Sequence, residues 1–354
     1  MGRTSMARAT GWLSLFLACA FPAFAALKPL PFAPETAQKI GPVLDRLYYN
    51  PAALKNRPEG VLPPGVFVGS PLPAALPIRT EVLPGNVGFW RLRNFNLEKG
   101  KNWTALDTEI GTWYWTKKLP GLVLDLRNNN AAAKADFDVA ARIASYFVPP
   151  QATGAVHPLF SLQSLRGPEQ VFSAIAPDSF PITPLFPGTL VVLVNPQTGG
   201  AAATLATLLR REAGAILIGR TPSDSSALLE SVALDTTPPS IVRVATAVAT
   251  LPDGISLLGQ PATPDISLYI DDKAEQEILA QIALGPAAKG LVEAPLRHHM
   301  NEASLVHEEN PEIADYLTSP ARATADEPLP LQDTALLRAL DILKGLTLFP
   351  VAAQ

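Results

Sequence analysis

The stretch LVVLVNPQTGGAAATLATLLRREAGAILIGRT, residues 190–221, constrains the fold of this chain more than any other. Its apolar run reads as a strand buried on both faces. A glycine pair turns the chain, AAATLATLLRREA carries a helical period, and AILIG is a second buried strand. Upstream, LVLDLRNNN ends a strand at Asp125 to Asn130. KADFDVAARIASYF follows as an amphipathic helix with Phe137, Ala140, Ala141, Ala144 and Phe147 on one face, stopped by Pro149-Pro150. Strand, helix, strand, helix, strand predicts parallel strands joined by right-handed crossovers, an α/β fold.

The flanks are assigned around that unit. NVGFWRLRNF (86–95) alternates as a strand. NWTALDTEIGTWYWTKK (102–118) reads as a helix with Asn102 as N-cap and Trp103, Trp113 and Trp115 in the core. Residues 34–49 predict a helix interrupted at Gly41-Pro42, residues 51–85 an extended proline-rich strap, and 151–187 a loop-rich stretch. SIVRVATAVAT and LPDGISLLGQ (240–260) predict a hairpin-like extension, TPDISLYI a strand and KAEQEILAQIAL a closing helix. The last helix, DTALLRALDILKGL, has Asp333 as N-cap and Gly345 as C-cap, with Leu336, Leu337, Leu340 and Leu343 turned to the main domain or to a partner.

Arg3, Arg8, the apolar run GWLSLFLACAFPAF and the site Ala23-Phe24-Ala25 predict a signal peptide cleaved near Ala25. The expected division is residues 1–25 signal, 26–85 proline-rich segment, 86–286 compact domain and 287–354 helical tail. An exported chain, periplasmic or extracellular, follows. The only cysteine, Cys19, lies in the signal, and FLAC is a poor lipidation motif, so no disulfide is available. A net charge of −4 without a basic block argues against nucleic acid, and no later segment is long and apolar enough for a transmembrane anchor.

The turn that commonly carries a nucleophile reads Thr198-Gly199-Gly200-Ala201. Thr198 is one candidate nucleophile, although its expected role is helix N-cap. Ser223, Ser225 and Ser226 beside Asp224 form either a relocated active loop or a polar turn. Asp125 and Arg127, at a strand end, either hold a ligand carboxylate or pair with each other. The N–H groups of Gly199, Gly200 and Ala201 open a helix and offer a docking point for a carboxylate or a peptide carbonyl. His298, His299 and His307 with Glu302, Glu308 and Glu309 lack metal-ligand spacing and read as a solvated face. GGAAAT lacks the Lys-Ser/Thr of a phosphate cradle, so no metal or cofactor is expected.

In order along the chain, VGFWRLRNF, GLVLDLRNN, the 190–221 segment and LPDGISLLGQPATPDISL resemble the motifs of the tail-specific, or C-terminal processing, serine peptidases. The resemblance covers about residues 86–285 and implies a Clp protease/crotonase-like α/β fold. The PDZ module usual in the family finds no room in residues 28–85. The family's turn reads Ser-Ala-Ser-Ala-Ser-Glu, with the middle serine as nucleophile and a lysine about 25 positions downstream as base. On this sequence the nucleophile position is Gly200, the glutamate position Ala203 and the base position Ser225. Lysine is absent from Ala135 to Asp272, and histidine is absent before His157. No ordinary base serves a serine at the turn. Three readings follow: an inactive homologue that binds a peptide, ligand or protein C-terminus; an active peptidase with Thr198 or Ser225 as relocated nucleophile; or a structural envelope protein.

Overall fold

The computed structural model describes residues 34–55, 61–69, 78–95, 103–148, 157–174, 184–236, 239–284, 288, 290–292 and 331–348. The signal peptide, Asn102, Pro149-Pro150 and the histidines of the tail lie outside them. The chain begins with α1 (Pro34–Leu47), α2 (Pro51–Leu54), β1 (Val66–Gly69), β2 (Arg79–Leu83) and β3 (Val87–Arg91). Next come α3 (Trp103–Gly111), extended by a π-helical turn over Thr112–Thr116, then β4 (Gly121–Asp125), α4 (Lys134–Ala144), β5 (Pro158–Gln163) and β6 (Gln170–Ser173). It continues through β7 (Thr189–Val194), α5 (Gly200–Glu212), β8 (Ile216–Gly219), β9 (Ala227–Thr236) and β10 (Pro239–Thr250). β11 (Ile266–Ser267), α6 (Asp272–Leu284) and α7 (Thr334–Leu348) complete the described order.

The main sheet runs β11-β8-β7-β4-β3-β2, parallel throughout except for the antiparallel β2 edge. Its central strands are apolar because both faces are covered. Leu122, Leu124, Leu190, Val192 and Val194 face a core under α3, α4 and α5. Val123, Val191, Leu193 and Ile218 face a second core under α6 and α7. The leucine face of α7 therefore packs on its own domain. Leu343 sits so close to Gly121 that a Cβ there would lie 2.5 Å from Leu343 Cδ2, so a side chain at the start of β4 would have to displace the leucine tip.

A second, antiparallel sheet pairs β10 with β9 on one side and with β1 and β5 on the other, with β6 outside β5. The sequence reading missed most of this sheet. The hairpin partner of β10 is β9, and residues 251–260 form only a tight return closed by the Thr250–Ser256 bridge. Two expected helix ends also move. α1 runs unbroken through Gly41 and Pro42. A proline inside a helix costs about 3 kcal/mol. Burial of Ile40, Leu44 and Tyr48 against the β9–β10 hairpin offsets this at about 1.5–3 kcal/mol per large side chain. α7 runs through Gly345 to Leu348, so Gly345 is interior and not a C-cap. Of the three tryptophans assigned to the core, Trp113 is buried and Trp103 packs at its edge, whereas Trp115 is 38% exposed.

Candidate functional site

The turn after β7 is locked by its own side chains. Thr198 Oγ1 accepts the Asn195 N–H at 3.0 Å and donates to the Leu126 carbonyl at 3.0 Å, tying the end of β7 to the end of β4. It is not the N-cap. That position falls to Gly199, whose extended backbone carries no side-chain cap. The hydroxyl is fully buried with both partners satisfied, and among the described residues no basic side chain hydrogen-bonds to it.

Two backbone segments close over the turn. From one side Gly199 N–H donates to the Asn129 carbonyl at 2.8 Å and Ala201 N–H to the Ala131 carbonyl at 2.9 Å. From the other, Gly200 N–H donates to Ser225, reaching its carbonyl at 3.2 Å and its Oγ at 3.3 Å. The three N–H groups expected to face a ligand are thus bonded internally, and the turn is buried. Gly200 has φ +55°, and a Cβ built on it would stand 2.4 Å from the Ala131 carbonyl oxygen and 2.6 Å from Ala132 Cβ. A side chain has no place at Gly200, the residue that the family resemblance sets at the nucleophile position.

Ser225 sits against this turn but without a base. Its Oγ accepts from the Ser223 hydroxyl at 2.8 Å and from Gly200 N–H. Among the described residues, no lysine, histidine or carboxylate side chain hydrogen-bonds to Ser223, Ser225 or Thr198. Asp224 contributes its carbonyl, to Gly259 N–H. A hydroxyl with hydroxyl and amide partners remains a poor nucleophile at neutral pH.

At the same edge of the sheet, on the face toward α7, lies a buried charge network. Asp125 receives Arg91 Nη1 at 2.6 Å and Arg127 Nη2 at 2.8 Å on Oδ2, and Arg127 Nε at 2.9 Å on Oδ1. Arg127 also grips a second carboxylate, Asp333, with Nη1–Oδ1 at 3.0 Å and Nη2–Oδ2 at 2.7 Å. The guanidinium expected to hold a ligand's carboxylate holds one from α7 instead. Asp333 is also the expected N-cap, its Oδ1 accepting Leu336 N–H at 3.0 Å. Burial pushes the Asp125 pKa up, but Arg127 and Arg91 pull harder and bring it down to about 2. Burial likewise opposes the Arg127 charge, and the two aspartates overcome it and hold its pKa well above the usual value. Burial lowers that of Arg91, with Asp125 only partly compensating.

This depressed carboxylate makes a pH prediction. Its folded pKa lies below the unfolded value of 3.8, so its contribution is complete above about pH 4 and is lost as pH falls toward 2. The lowered Asp265, held by Arg210, acts in the same direction. Urea unfolding at pH 5 and pH 2 is expected to show a loss of about 2 kcal/mol or more across that window. A flat profile would contradict the network.

Sequence reasoning missed the polar hub beside it. Asn195 Nδ2 donates to Asn128 Oδ1 at 2.7 Å and to Glu275 Oε2 at 3.0 Å, and its Oδ1 accepts Asn128 N–H at 3.0 Å. Arg220 Nη2 binds the same Glu275 oxygen at 2.6 Å. The available signal was a lone Asn at the end of an otherwise apolar strand. Among the described residues no group of three or more histidine, cysteine or acidic side chains forms a metal site.

The main sheet thus carries a strand–turn–helix unit at its centre, with Ser225 set against the Gly200 turn. The model of peptidase family S41 matches residues 86–268, just over half of the chain, and the chain belongs to that family. Its α/β architecture is the Clp protease/crotonase-like fold. Among solved structures, it is similar to a photosystem II D1 C-terminal processing protease at 23% identity and TM-score 0.37, over 62% of this chain and 54% of that one. A lipoprotein from Streptococcus agalactiae matches at 13% identity and TM-score 0.40, over 58% of this chain and 70% of that one. The tricorn protease matches at 11% identity and TM-score 0.33, over 74% of this chain and 18% of that one. The chain thus spans about half the length of the first of these. No curated protein matches it. No helix among the described residues is long and apolar enough to cross a membrane.

Proposed function

We propose that this S41 member is catalytically inactive and works as an exported protein that binds a peptide, a ligand or another protein. The observation that carries the reading is Gly200: the nucleophile position has a left-handed backbone and an Ala131 carbonyl where a side chain would begin. Acyl transfer needs a nucleophile and a base within hydrogen-bond reach, and among the described residues neither Thr198 nor Ser225 has such a base. A peptide C-terminus docked on the Gly199–Ala201 N–H groups would have to displace the Asn129, Ala131 and Ser225 carbonyls, each a bonded partner already. Binding at other surfaces is therefore the better-supported form of the proposal. Export rests on the signal-like first 25 residues.

The experiment is digestion of unfolded casein by the purified chain, with Ser225→Ala and Thr198→Ala beside it. No cleavage by any of the three is expected. Cleavage by the parent chain that one variant abolishes would establish that residue as a relocated nucleophile and overturn the proposal.

A further inference from the structure

At the opposite end of the main sheet from the turn, α3 does not finish as an ordinary helix. Its last turn widens to a π-helix over Thr112–Thr116, closed by Lys117 N–H to the Thr112 carbonyl at 2.8 Å. Lys118 then takes φ +53°, a left-handed conformation in which glycine is cheaper than lysine. π-turns and non-glycine residues at positive φ are strained features that concentrate at functional sites. Here they expose four successive residues, Trp115 to Lys118.

Two of the exposed side chains have partners. Trp115 Nε1 donates to the Leu185 carbonyl at 3.1 Å, which holds the ring. Lys118 Nζ lies 5.9 Å from the centre of that ring. Lys117 and Lys118 make no ion pair among the described residues, in a chain whose net charge is −4. Tyr114 packs edge-on against both Trp115 and Phe186, with ring centres 5.0 and 5.5 Å apart. Phe186 in turn lines a cavity of about 220 Å³ with Phe147, Pro184, Pro187 and Leu190. Among the described residues that line it, the charged one is Glu212, which stands 3.4 Å from Arg211 and 4.0 Å from His157.

We propose that this corner is a docking surface for an acidic protein segment, which places an aromatic side chain in the Phe147–Phe186 cavity and carboxylates on Lys117 and Lys118. The concavity decides for a peptide over an anionic bilayer, because a lipid surface meets the lysines and Trp115 but leaves the cavity empty. The inference rests on the proposal that the chain acts by binding, and it gives that binding a location and a partner chemistry.

The test is fluorescence anisotropy of the full chain with a fluorescein-labelled Glu-Glu-Phe-Glu-Glu peptide. Glu-Glu-Ala-Glu-Glu and Lys-Lys-Phe-Lys-Lys serve as comparators. Saturable binding of the first is expected, at least about fivefold weaker for the alanine peptide and absent for the basic one. Lys117→Glu with Lys118→Glu is expected to weaken binding by about tenfold or more. Lys118→Gly should weaken binding while its melting temperature stays level or rises, a split that a purely structural lysine would not produce. Absence of saturable binding, or binding indifferent to the lysine variants, overturns the inference. So does capture by phosphatidylcholine–phosphatidylglycerol vesicles that depends on Trp115 while the peptide fails. Any of these outcomes in a chain that cleaves nothing leaves the inactive reading standing, so the two claims fail separately.

Discussion

Gly200→Ser does not restore a peptidase; it destabilises the fold by about 3 kcal/mol or more and leaves the chain inert. The resemblance to the family sets its serine at this position, so the result runs against simple reversion. Two costs add. A left-handed backbone costs a non-glycine residue about 1–2 kcal/mol. The new Cβ must also move the Ala131 carbonyl, which stands 2.4 Å from its ideal position and receives the Ala201 N–H. Backbone held on both sides does not give as a flexible side chain would. Gly200→Ala separates the causes. It should be about as destabilising as Gly200→Ser, because the Cβ and not the hydroxyl is the obstacle. Tolerance of both, measured by urea unfolding, would show that the 129–132 segment yields, and with it the claim that the site is closed.

Asp333→Ala is the second large effect, an expected loss of about 3–5 kcal/mol. Asp333 and Arg127 are almost completely buried, and removing one partner of such a pair strands the other. Arg127 keeps Asp125, which places the pair's share toward the lower end. Loss of the N-cap bond to Leu336 N–H adds about 1 kcal/mol. Asp333→Asn separates the two, since asparagine still caps but carries no charge. It should cost clearly less than the alanine variant and more than an exposed aspartate would. Thermal and urea unfolding read both. A change below about 1 kcal/mol for Asp333→Ala would show that α7 is held by its leucines alone.

The parts of this molecule legible in the sequence are those that depend on near neighbours. The apolar runs at Leu122–Leu124 and Leu190–Val194 announced parallel strands because both faces are buried, and the helical stripe of α4 announced its packing face. The resemblance set Gly200 and Ser225 at the family's two catalytic positions, and the structure places these two residues in contact. What failed was long-range. β9, ALLESVALDT, alternates imperfectly and becomes a strand by pairing with β10, while β5 and β6 lie in a proline-rich stretch where local signals favour loop. Closure of the site by Asn129–Ala131 is a matter of backbone carbonyls, which no side-chain pattern reports. Arg127 and Asp333 are 206 residues apart, and only the docking of α7 on the sheet brings them together. Pro42 and Gly345 misled for the converse reason, because tertiary packing overrode a local breaking signal.

The central claim is that no hydroxyl of the described turn, Thr198, Ser223 or Ser225, is activated for acyl transfer. The most direct measurement is intact mass spectrometry of the purified chain after exposure to a fluorophosphonate serine probe, with an active serine hydrolase in parallel to show that the probe works. The account predicts an unmodified mass while the control is fully labelled. A stoichiometric adduct that maps to the 198–226 region and disappears in Ser225→Ala or Thr198→Ala would contradict it, and would mean that the closed turn opens to a working nucleophile.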